Sequence, residues 1–351
     1  MRVPQGVLDW AYAEPLTRQG PHPDPLSSPL PRLQPWVVTC QNSSIMPIYK
    51  ECLSLKLGPT EDIRHTVLSE LSEYYGRSLE ESLDRCINWE DYSLEEWKQS
   101  DRATSEGLRD FFQQCESWAY DLLWDAYLQA TGHSSPISVA IGDWITEHTS
   151  PGSHLDFGSG VGVTSQLFQS LGWQTTLGDV SAPLLDFARW RLERRTVPAE
   201  YHNLEQPLPT ASYDVVTAIN SLIHVPDLGR AARELHAALV PGGLLFANFD
   251  VRPPSDYNSW HLYQDSATMR WAVESNGFIQ LTVLAGEAGM YVYQKAVDAR
   301  AYRRQLPARF LRIGPPGQTQ NHLRRLVAHQ ARLTLRTLAK EQGSKSAEER
   351  R

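Results

Sequence analysis

The chain has 351 residues, 41% of them hydrophobic, and a formal net charge of −8, which excludes a wholly disordered chain and fits one large domain or two modest ones. The segment from Asp298 to Arg351 holds 13 Lys and Arg against 4 Asp and Glu, so a tail of net charge +9 follows a body of net charge −17. Such a body repels polyanions, which restricts any nucleic-acid or membrane role mainly to the tail.

The first segment is rich in proline. Residues 1–36 contain eight prolines, and these disfavour helix and central strand because proline lacks an N–H donor and restricts the residue before it. We expect a disordered or polyproline-like leader, with a proline-rich ligand for a partner as the alternative. The N-terminus lacks the basic start and long apolar stretch of a secretory signal.

The cysteines are few and far apart. They are Cys40, Cys52, Cys86 and Cys115. No pair has the CxxC spacing of a zinc or redox site, so we expect free thiols in a reducing compartment and no metal site. The sequence has no run of 18 or more apolar residues, so no membrane span is predicted. These features favour a cytoplasmic location.

Residues 37–150 are predicted to form a helical region. Apolar residues recur there at helical spacing, as in Leu68, Leu71, Tyr75 and Leu79. Ser93 followed by Glu96 is typical of a capping box at a helix start. The region also holds five tryptophans. They predict an aromatic core or, for some of the rings, a pocket for an apolar or planar ligand.

Between residues 151 and 297, short apolar runs alternate with helical stretches, which predicts a parallel sheet with crossover helices. Strands are expected near 153–158, 174–179, 200–204, 213–219, 243–249, 278–285 and 290–296. Helices are expected near 163–172, 182–195, 227–239 and 266–276. The connection from Gly286 to Gly289 is too short for a helix, so the last strand is predicted to run antiparallel. The expected fold class is α/β, a Rossmann-like seven-stranded mixed sheet with an N-terminal helical region and a C-terminal helical extension.

The last segment, residues 298–351, is predicted to be a basic extension. It has a Gly-Pro-Pro-Gly break at residues 314–317 and then an amphipathic helical pattern over residues 321–341. We expect this helix to dock on the acidic body. A dimer contact, a membrane-surface contact and an RNA contact are the alternatives, although no aromatic residues are interleaved to support the RNA contact.

The strongest motif is HLDFGSGVG, from His154 to Gly162, where a predicted strand passes through a glycine-rich turn into a helix. Glycines permit a tight turn and let backbone N–H groups approach a ligand. The third glycine comes one position earlier than in the pyrophosphate-binding fingerprint, which disfavours a nicotinamide or flavin nucleotide. Asp156, two residues before the first glycine, would repel a pyrophosphate but suits a ligand that carries an ammonium group.

A second acidic residue ends the next predicted strand. Asp179 lies in TLGDVS, 17 residues after Gly162. A carboxylate at this place can accept two hydrogen bonds from ribose hydroxyls. The two acidic residues and the glycine turn together indicate a ligand with both a ribose and a cationic group.

These residues resemble motifs of the class I S-adenosylmethionine-dependent methyltransferases, over about residues 152–297. HLDFGSGVG resembles their first motif, and Asp179 resembles their acidic ribose anchor. Residues 203–227, 239–250 and 261–278 are similar to the later motifs, in the expected order. The small-molecule enzymes of the ubiquinone and menaquinone pathways are the most similar type. The resemblance implies S-adenosylmethionine as cofactor and methyl transfer to an oxygen, nitrogen or carbon of a small, apolar or aromatic metabolite, as in secondary metabolism.

The resemblance also implies a set of cofactor-binding residues near the carboxyl ends of the strands. They are Asp156, Gly158, Ser159, Gly160, Gly162, Asp179, Val180, Asn203, Leu204, Asn220 and Ser221. Asn203 stands where relatives usually carry Asp, and its carbonyl oxygen can still accept a hydrogen bond from the adenine amino group. Leu204 would offer its backbone N–H to the ring, and Val180 would lie against the adenine or ribose. Asn220 and Ser221 would lie near the methionine portion.

Candidates for catalysis and substrate contact follow from the same comparison. An oxygen or carbon nucleophile usually needs a base, and histidine titrates near neutral pH. His224 and His261 are therefore the candidate bases, with structural packing as the alternative for each. Substrate contacts are expected from Tyr257, Trp260 and Tyr263, after the fifth strand. The resemblance also implies that residues 37–150 form a lid over the substrate site. Tyr120 in that region is a further candidate, because relatives often place a tyrosine there.

Other functions stay open at this stage. One is an RNA, protein or peptide methyltransferase directed by the basic tail, and another is a non-catalytic scaffold with a methyltransferase-like fold; a dehydrogenase is a remote third. The sequence AINSL stands where the nucleic-acid adenine methylases carry an NPPY-type motif, which argues against a flipped exocyclic amine as acceptor. The expected partner is a small-molecule methyl acceptor rather than nucleic acid, and a homodimer is left open.

Overall fold

A computed structural model of the protein describes residues 39–55, 62–101, 104–284, 289–305 and 329–340. The predicted proline-rich leader lies outside these residues, as do the Gly-Pro-Pro-Gly break and residues 321–328 of the predicted tail helix. The described residues form a helical region followed by a sheet domain against which further helices pack.

The helical prediction for the residues before the sheet is confirmed. The helices there are α1 Ile45–Cys52, α2 Ile63–Tyr75, α3 Leu79–Ile87, α4 Trp89–Gln99, α5 Ser105–Gln114, α6 Ser117–Thr131 and α7 Ile137–His148. The apolar faces of α1, α2, α3 and α6 share one core, which includes the fully buried Tyr49, Leu71 and Leu123, while α4 and α5 pack in a second cluster around Trp97 and Phe111. Helix α2 begins at an Asp62 side chain that accepts the Arg64 N–H, and it ends at Gly76 in the left-handed conformation.

The predicted capping box at Ser93 is wrong. Ser93 lies inside α4, where it is buried and its hydroxyl hydrogen-bonds with Ser117 Oγ at 2.7 Å. Glu96 reaches instead to the start of α6, where it accepts from Ser117 Oγ at 2.6 Å and from the N–H groups of Glu116 and Ser117 at 3.3 Å. Glu96 therefore caps a neighbouring helix rather than its own, and Ser93 bonds to the first residue of that helix, which local spacing alone does not reveal.

The predicted mixed sheet is confirmed. Its strands are β1 Ser153–Phe157, β2 Gln174–Asp179, β3 Glu200–Asn203, β4 Tyr213–Ala218, β5 Leu239–Ala247, β6 Phe278–Leu284 and β7 Met290–Lys295. The order across the sheet is β3-β2-β1-β4-β5-β7-β6. Strand β1 pairs in parallel with β2 and β4, and β7 pairs antiparallel with both β5 and β6. The last strand is thus the antiparallel one.

The helices of the sheet domain are α8 Val163–Ser170, α9 Ala182–Arg194, α10 Leu228–Ala238 and α11 Ser266–Glu274, with α12 Ala299–Gln305 after the sheet. Strand β5 differs most from its predicted range of 243–249. It begins four residues earlier, because the strand continues through Gly242 and Gly243, with Gly242 at φ +81° and an irregular register against β4.

The sheet topology creates a crevice between β1 and β4. From β1 the chain builds outward through β2 and β3, and it then returns to the other side of β1 to form β4. Connections therefore leave the two central strands in opposite directions, and open α/β sheets bind ligands beyond the carboxyl ends at such a point. The residues after β1 are Gly158 to Gly162, and those after β4 begin at Ile219.

Residues 329–340 form a helix that docks on the sheet domain, as expected for the tail. Ala331 and Leu338 are buried in a small cluster with Ala296 and Tyr302. Thr334 Oγ1 donates to the Ser275 backbone oxygen at 3.1 Å. The residues that bury this helix are apolar, so its docking depends on packing and not only on the opposite charges of tail and body.

The described residues also bear on the cysteines and on membranes. Cys40, Cys52, Cys86 and Cys115 are free and buried, and all four belong to the helical region. None of the helices in the described ranges is long and apolar enough to cross a bilayer.

Candidate functional site

The glycine-rich turn between β1 and α8 has the backbone conformation that its sequence predicts. Gly158, Gly160 and Gly162 adopt φ values of +75°, +51° and +78°, a region that residues with side chains rarely enter. A Cβ at Gly158 would overlap the side chain of Ser221, and a Cβ at Gly160 would lie 2.5 Å from Leu122 Cδ1. The turn therefore meets both the loop after β4 and helix α6.

Asp179 ends β2 and is bonded to this turn. Its Oδ2 accepts the Gly160 N–H at 2.9 Å, and its Oδ1 accepts the Ser181 N–H at 2.9 Å. Burial raises the pKa of Asp179, and hydrogen bonds from the N–H groups of Ser181, Gly160 and Val180 oppose that rise. Each carboxylate oxygen can accept more than one hydrogen bond, so acceptor capacity is left for ligand hydroxyls.

Asp156 lies at the end of β1 in a buried polar network. Its Oδ2 accepts from Ser165 Oγ at 2.7 Å, and its Oδ1 accepts from Thr217 Oγ1 at 2.8 Å. The same Thr217 oxygen lies 2.8 Å from His154 Nε2. Burial raises the pKa of Asp156 to about 6, and the charge of Asp179 adds to this effect while the two hydroxyl donors oppose it. Asp156 thus links β1, β4 and α8.

The loop after β4 is fixed to the end of β5. Asn220 has φ +52°, and its N–H donates to Asn248 Oδ1 at 2.7 Å, while the Asn248 side-chain amide donates back to Asn220 Oδ1. The hydroxyls of Ser159 and Ser221 are buried, and neither finds a hydrogen-bond partner among the described residues. A buried unpaired hydroxyl costs about 1–3 kcal/mol. These two serines are therefore suited to a polar ligand.

The end of β3 differs in one respect from expectation. The Leu204 N–H donates to the backbone oxygen of Asp179 at 3.0 Å, so the donor expected for the adenine ring is already used by the sheet and only the Leu204 side chain is left for such a contact. Asn203 is exposed, and its Oδ1 accepts the Glu205 N–H at 2.9 Å. Val180 is partly buried against an aromatic cluster of the helical region.

His224 follows β4 and is enclosed by rings. Its centroid lies 5.1 Å from that of Trp118, 5.6 Å from that of Phe112 and 5.2 Å from that of His261. Its Nδ1 lies 3.3 Å from the Trp260 carbonyl oxygen, which can only accept, so Nδ1 carries the proton and Nε2 the lone pair. Burial lowers the pKa of His224 to about 3, and the neighbouring His261 lowers it further.

His261 lines an open pocket of about 270 Å³ in the loop after β5. The lining residues are Arg252, Pro254, Ser255, Asn258, Ser259, His261, Tyr263 and Gln264. Burial lowers the pKa of His261 to about 4, with a further contribution from Arg252. Both candidate bases are therefore neutral imidazoles at physiological pH.

The candidate substrate residues fall into two groups. Tyr257 and Trp260 lie where the loop after β5 meets α4: the Tyr257 hydroxyl donates to Asp91 Oδ1 at 3.0 Å, and the Trp260 ring centroid lies 6.3 Å from that of Trp89. Tyr263 and Tyr120 lie apart from this contact, and their hydroxyls also have partners. Tyr263 OH donates to the Val225 oxygen at 2.8 Å. Tyr120 OH accepts from Arg77 Nε at 3.0 Å within the helical region, where Tyr120 is fully buried.

One face of α6 lies at the candidate site, and the sequence analysis did not predict this. Trp118, Asp121, Leu122 and Asp125 are partly exposed on that face, and Leu122 contacts the glycine turn. Enclosure by the surrounding protein raises the pKa of Asp121 well above its usual range, with the charge of Asp125 next in size, while Arg252 opposes the shift. The signal was available, because two acidic residues interrupt an otherwise apolar helix. Among the described residues, no group of His, Cys, Asp and Glu side chains is arranged to hold a metal ion.

The part of the chain from β1 to β5 matches a known protein family. Residues 155–247 match the family model described as a methyltransferase domain. The match begins in β1 and ends with β5, so it contains the glycine turn, Asp179 and the loop after β4. These residues are therefore similar to a methyltransferase domain, and the sheet that contains them has the mixed, Rossmann-like strand order.

Curated relatives align with part of this chain. The ubiquinone biosynthesis O-methyltransferase of Bordetella pertussis is 34% identical over 110 residues, which are 29% of this chain and 44% of the relative. The enzyme of the same name from Stutzerimonas stutzeri is 31% identical over 121 residues, 33% of this chain and 52% of the relative. The chain thus spans about half the length of these relatives.

Among solved structures, the Haemonchus contortus phosphoethanolamine N-methyltransferase 2 in complex with S-adenosyl-L-methionine aligns with 49% of this chain and 44% of its own, at 18% identity and a TM-score of 0.41. The PH0226 protein of Pyrococcus horikoshii aligns with 48% of this chain and 94% of its own, at 15% identity and a TM-score of 0.40.

Proposed function

We propose that this protein is an S-adenosylmethionine-dependent methyltransferase that acts on an oxygen, nitrogen or carbon of a small apolar or aromatic metabolite. The observation that carries the proposal is the bond between Asp179 and the Gly160 N–H, which brings an acidic group with spare acceptor capacity to a glycine turn beyond the carboxyl ends of β1 and β2. This arrangement suits a ribose beside a backbone that a ligand can approach closely.

The donor set fits the cofactor. Asp179 would accept from the ribose hydroxyls, the Ser159 and Ser221 hydroxyls lack partners among the described residues, and Val180 and Leu204 would offer apolar contact to the adenine. Asn203 keeps one acceptor site on its amide oxygen, since the Glu205 N–H takes the other. The cofactor supplies a methyl carbon that its sulfonium charge makes electrophilic.

The acidity of the site favours a cationic ligand. Asp156 and Asp179 lie close enough for the charge of one to raise the pKa of the other, and Asp121 and Asp125 add acidic groups on α6, with Arg252 as an opposing charge. A sulfonium and an ammonium group would reduce the mutual repulsion of these carboxylates. A polyanion would increase it, which argues against nucleic acid as the acceptor.

The acceptor would lie between the helical region and the loop after β5. Trp118 and His224, both partly exposed and packed against the buried Phe112, provide ring surfaces there, as a flat or apolar acceptor requires. Because burial lowers the pKa of His224 to about 3, this imidazole is a weak base at neutral pH. We therefore propose that alignment of the acceptor with the methyl carbon supplies more of the rate than proton removal by His224 or His261 does.

We also propose a cytoplasmic location, which the four free buried thiols support.

Calorimetry of the full chain with S-adenosylhomocysteine, with NAD as the control ligand, tests the cofactor assignment. We expect binding of the former alone; the reverse result would favour a dehydrogenase. Incubation with methyl-labelled cofactor and separate metabolite, RNA and protein fractions then tests the acceptor class. We expect label in a small molecule identified by mass. Label in RNA or protein would support a tail-directed enzyme, and cofactor binding without any labelled product would support a scaffold.

A further inference from the structure

A fully buried arginine donates a hydrogen bond to the backbone of the glycine turn. Arg191 of α9 has no solvent exposure. Its Nη1 donates to the backbone oxygen of Val161 at 2.7 Å, and Val161 lies between Gly160 and Gly162. Burial of a charged group is costly unless it is paired, so this contact needs a reason beyond general packing.

The partner charge comes from the helical region. Arg191 Nε donates to Glu70 Oε2 at 3.1 Å, and Glu70 of α2 is also fully buried. Arg195 donates to the same carboxylate, through Nη2 at 3.0 Å. Burial alone would raise the pKa of Glu70, but the two guanidinium groups lower it below its usual value. The cluster is therefore charged, and it joins α2 to α9.

The bond to Val161 completes a clamp on the turn. The Gly160 N–H donates to Asp179, and the carbonyl of the next residue, Val161, accepts from Arg191. The two-residue segment is thus held at its N–H end by the proposed ribose anchor and at its C=O end by an arginine that α2 orients. A shift of α2 would reach the turn through two hydrogen bonds.

We propose that Arg191 is a positioning residue for cofactor binding and that Glu70 makes the geometry of the glycine turn depend on the packing of the helical region. This inference rests on the proposed function. It makes the helical region a determinant of cofactor affinity as well as a cover for the acceptor. A buried ion pair that served stability alone would change the unfolding free energy and leave cofactor affinity of the folded protein unaltered.

Arg191→Met is the first test, because Arg195 still pairs with Glu70 in that variant and no carboxylate is left alone. Arg194→Met is its matched control: Arg194 lies on the same helix and pairs with Glu73 of α2 at 2.5 Å, but the two side chains are 31% and 58% exposed, and this ion pair does not include the turn. We expect Arg191→Met to weaken S-adenosylhomocysteine binding between about threefold and thirtyfold by calorimetry, and Arg194→Met to leave the affinity within about twofold.

Arg191→Lys serves if the methionine variant does not fold. A lysine retains the charge but lacks the planar fork that spans Glu70 and Val161, so weaker binding of S-adenosylhomocysteine is again expected. A double-mutant cycle with Glu70→Gln should show non-additive effects on that affinity. A folded Arg191→Met or Arg191→Lys protein with wild-type affinity would overturn the inference. Failure of the wild-type protein to bind S-adenosylhomocysteine would instead refute the proposed function.

Discussion

The Gly160 N–H donates to Oδ2 of Asp179 at 2.9 Å, so the acidic residue that ends β2 holds the turn that follows β1. Two elements that the sequence presents as separate motifs are one hydrogen-bonded unit in the fold. A change at either residue should therefore disturb the binding surface that both contribute to.

Replacing Asp179 with Asn should weaken S-adenosylhomocysteine binding by about tenfold or more, because one oxygen that accepts an N–H becomes a donor and a charged acceptor is lost. Calorimetry measures the affinity. Asp186→Asn is the control, since Asp186 is exposed and pairs only with Arg189 in the described contacts. Equal affinities for the Asp179 variant and the wild type would show that our placement of the ribose is wrong.

Replacing Gly160 with Ala should weaken S-adenosylhomocysteine binding and also lower the stability of the fold. The left-handed φ of +51° costs an alanine about 1–2 kcal/mol, and the new Cβ would also press on Leu122. Gly76→Ala separates the two effects, because Gly76 has φ +64° with no atom within 4 Å of an added Cβ. Both variants should unfold at lower urea concentration, and only Gly160→Ala should lose cofactor affinity. Loss of affinity in both would indicate a general effect of destabilisation.

Replacing His154 with Gln should reduce the acid sensitivity of the fold. Burial lowers the pKa of His154 to about 3, below its usual value of 6.5. Between these values the unfolded chain binds a proton that the folded chain does not, so stability from this group is lost as pH falls from about 6.5 towards 3, by about 1.4 kcal/mol per pH unit. The unfolding free energy, measured by urea unfolding at several pH values between 7 and 5, should therefore fall less steeply with pH for His154→Gln than for the wild type.

The exposed His65 provides the comparison for that experiment, because it lies on the surface of α2 and contacts only Ser69 among the described hydrogen bonds. His65→Gln should retain the wild-type slope. Identical slopes for His154→Gln and the wild type would mean that His154 takes up its proton in the folded state.

Replacing Leu338 with Ala should destabilise the protein by about 2–3 kcal/mol, because Leu338 is 4% exposed in the contact between the tail helix and the sheet domain. Leu333 lies on the same helix at 39% exposure, and Leu333→Ala should change the unfolding free energy by less than about 0.5 kcal/mol. Denaturant unfolding gives both values. Equal and small losses would show that residues 329–340 do not dock in solution.

Local patterns predicted most of the fold because each strand and helix of the sheet domain is a short segment with its own period. The antiparallel last strand followed from the length of one connection, and the glycine turn and Asp179 followed from a contiguous motif. Strand β5 was placed too late because Pro241 and the glycines after it are typical of a turn. The strand nevertheless continues through them, with Gly242 at a left-handed φ of +81° and a register shift against β4, because Leu239 pairs with Tyr213 and Leu244 with Val215. The local sequence does not show these pairing partners.

Polar contacts between residues far apart in the chain could not be predicted from the sequence. Glu96 caps a helix 21 residues away, and Glu70 meets Arg191 across 121 residues. A weak signal existed for Arg191, which lies on the same apolar face of α9 as Ala188 and Leu192, where a charged side chain must find a buried partner. Which partner it finds depends on how α2 packs, and that depends on the tertiary structure.

The positions of the cysteines offer a way to observe motion without an engineered label. All four thiols are buried in the helical region and none lies in the sheet domain. The rate at which each thiol is alkylated in the native protein therefore measures how often its own part of the helical region opens. Mass spectrometry of a digest resolves the four sites, so the slowing that a bound ligand causes at each one can be mapped along the chain.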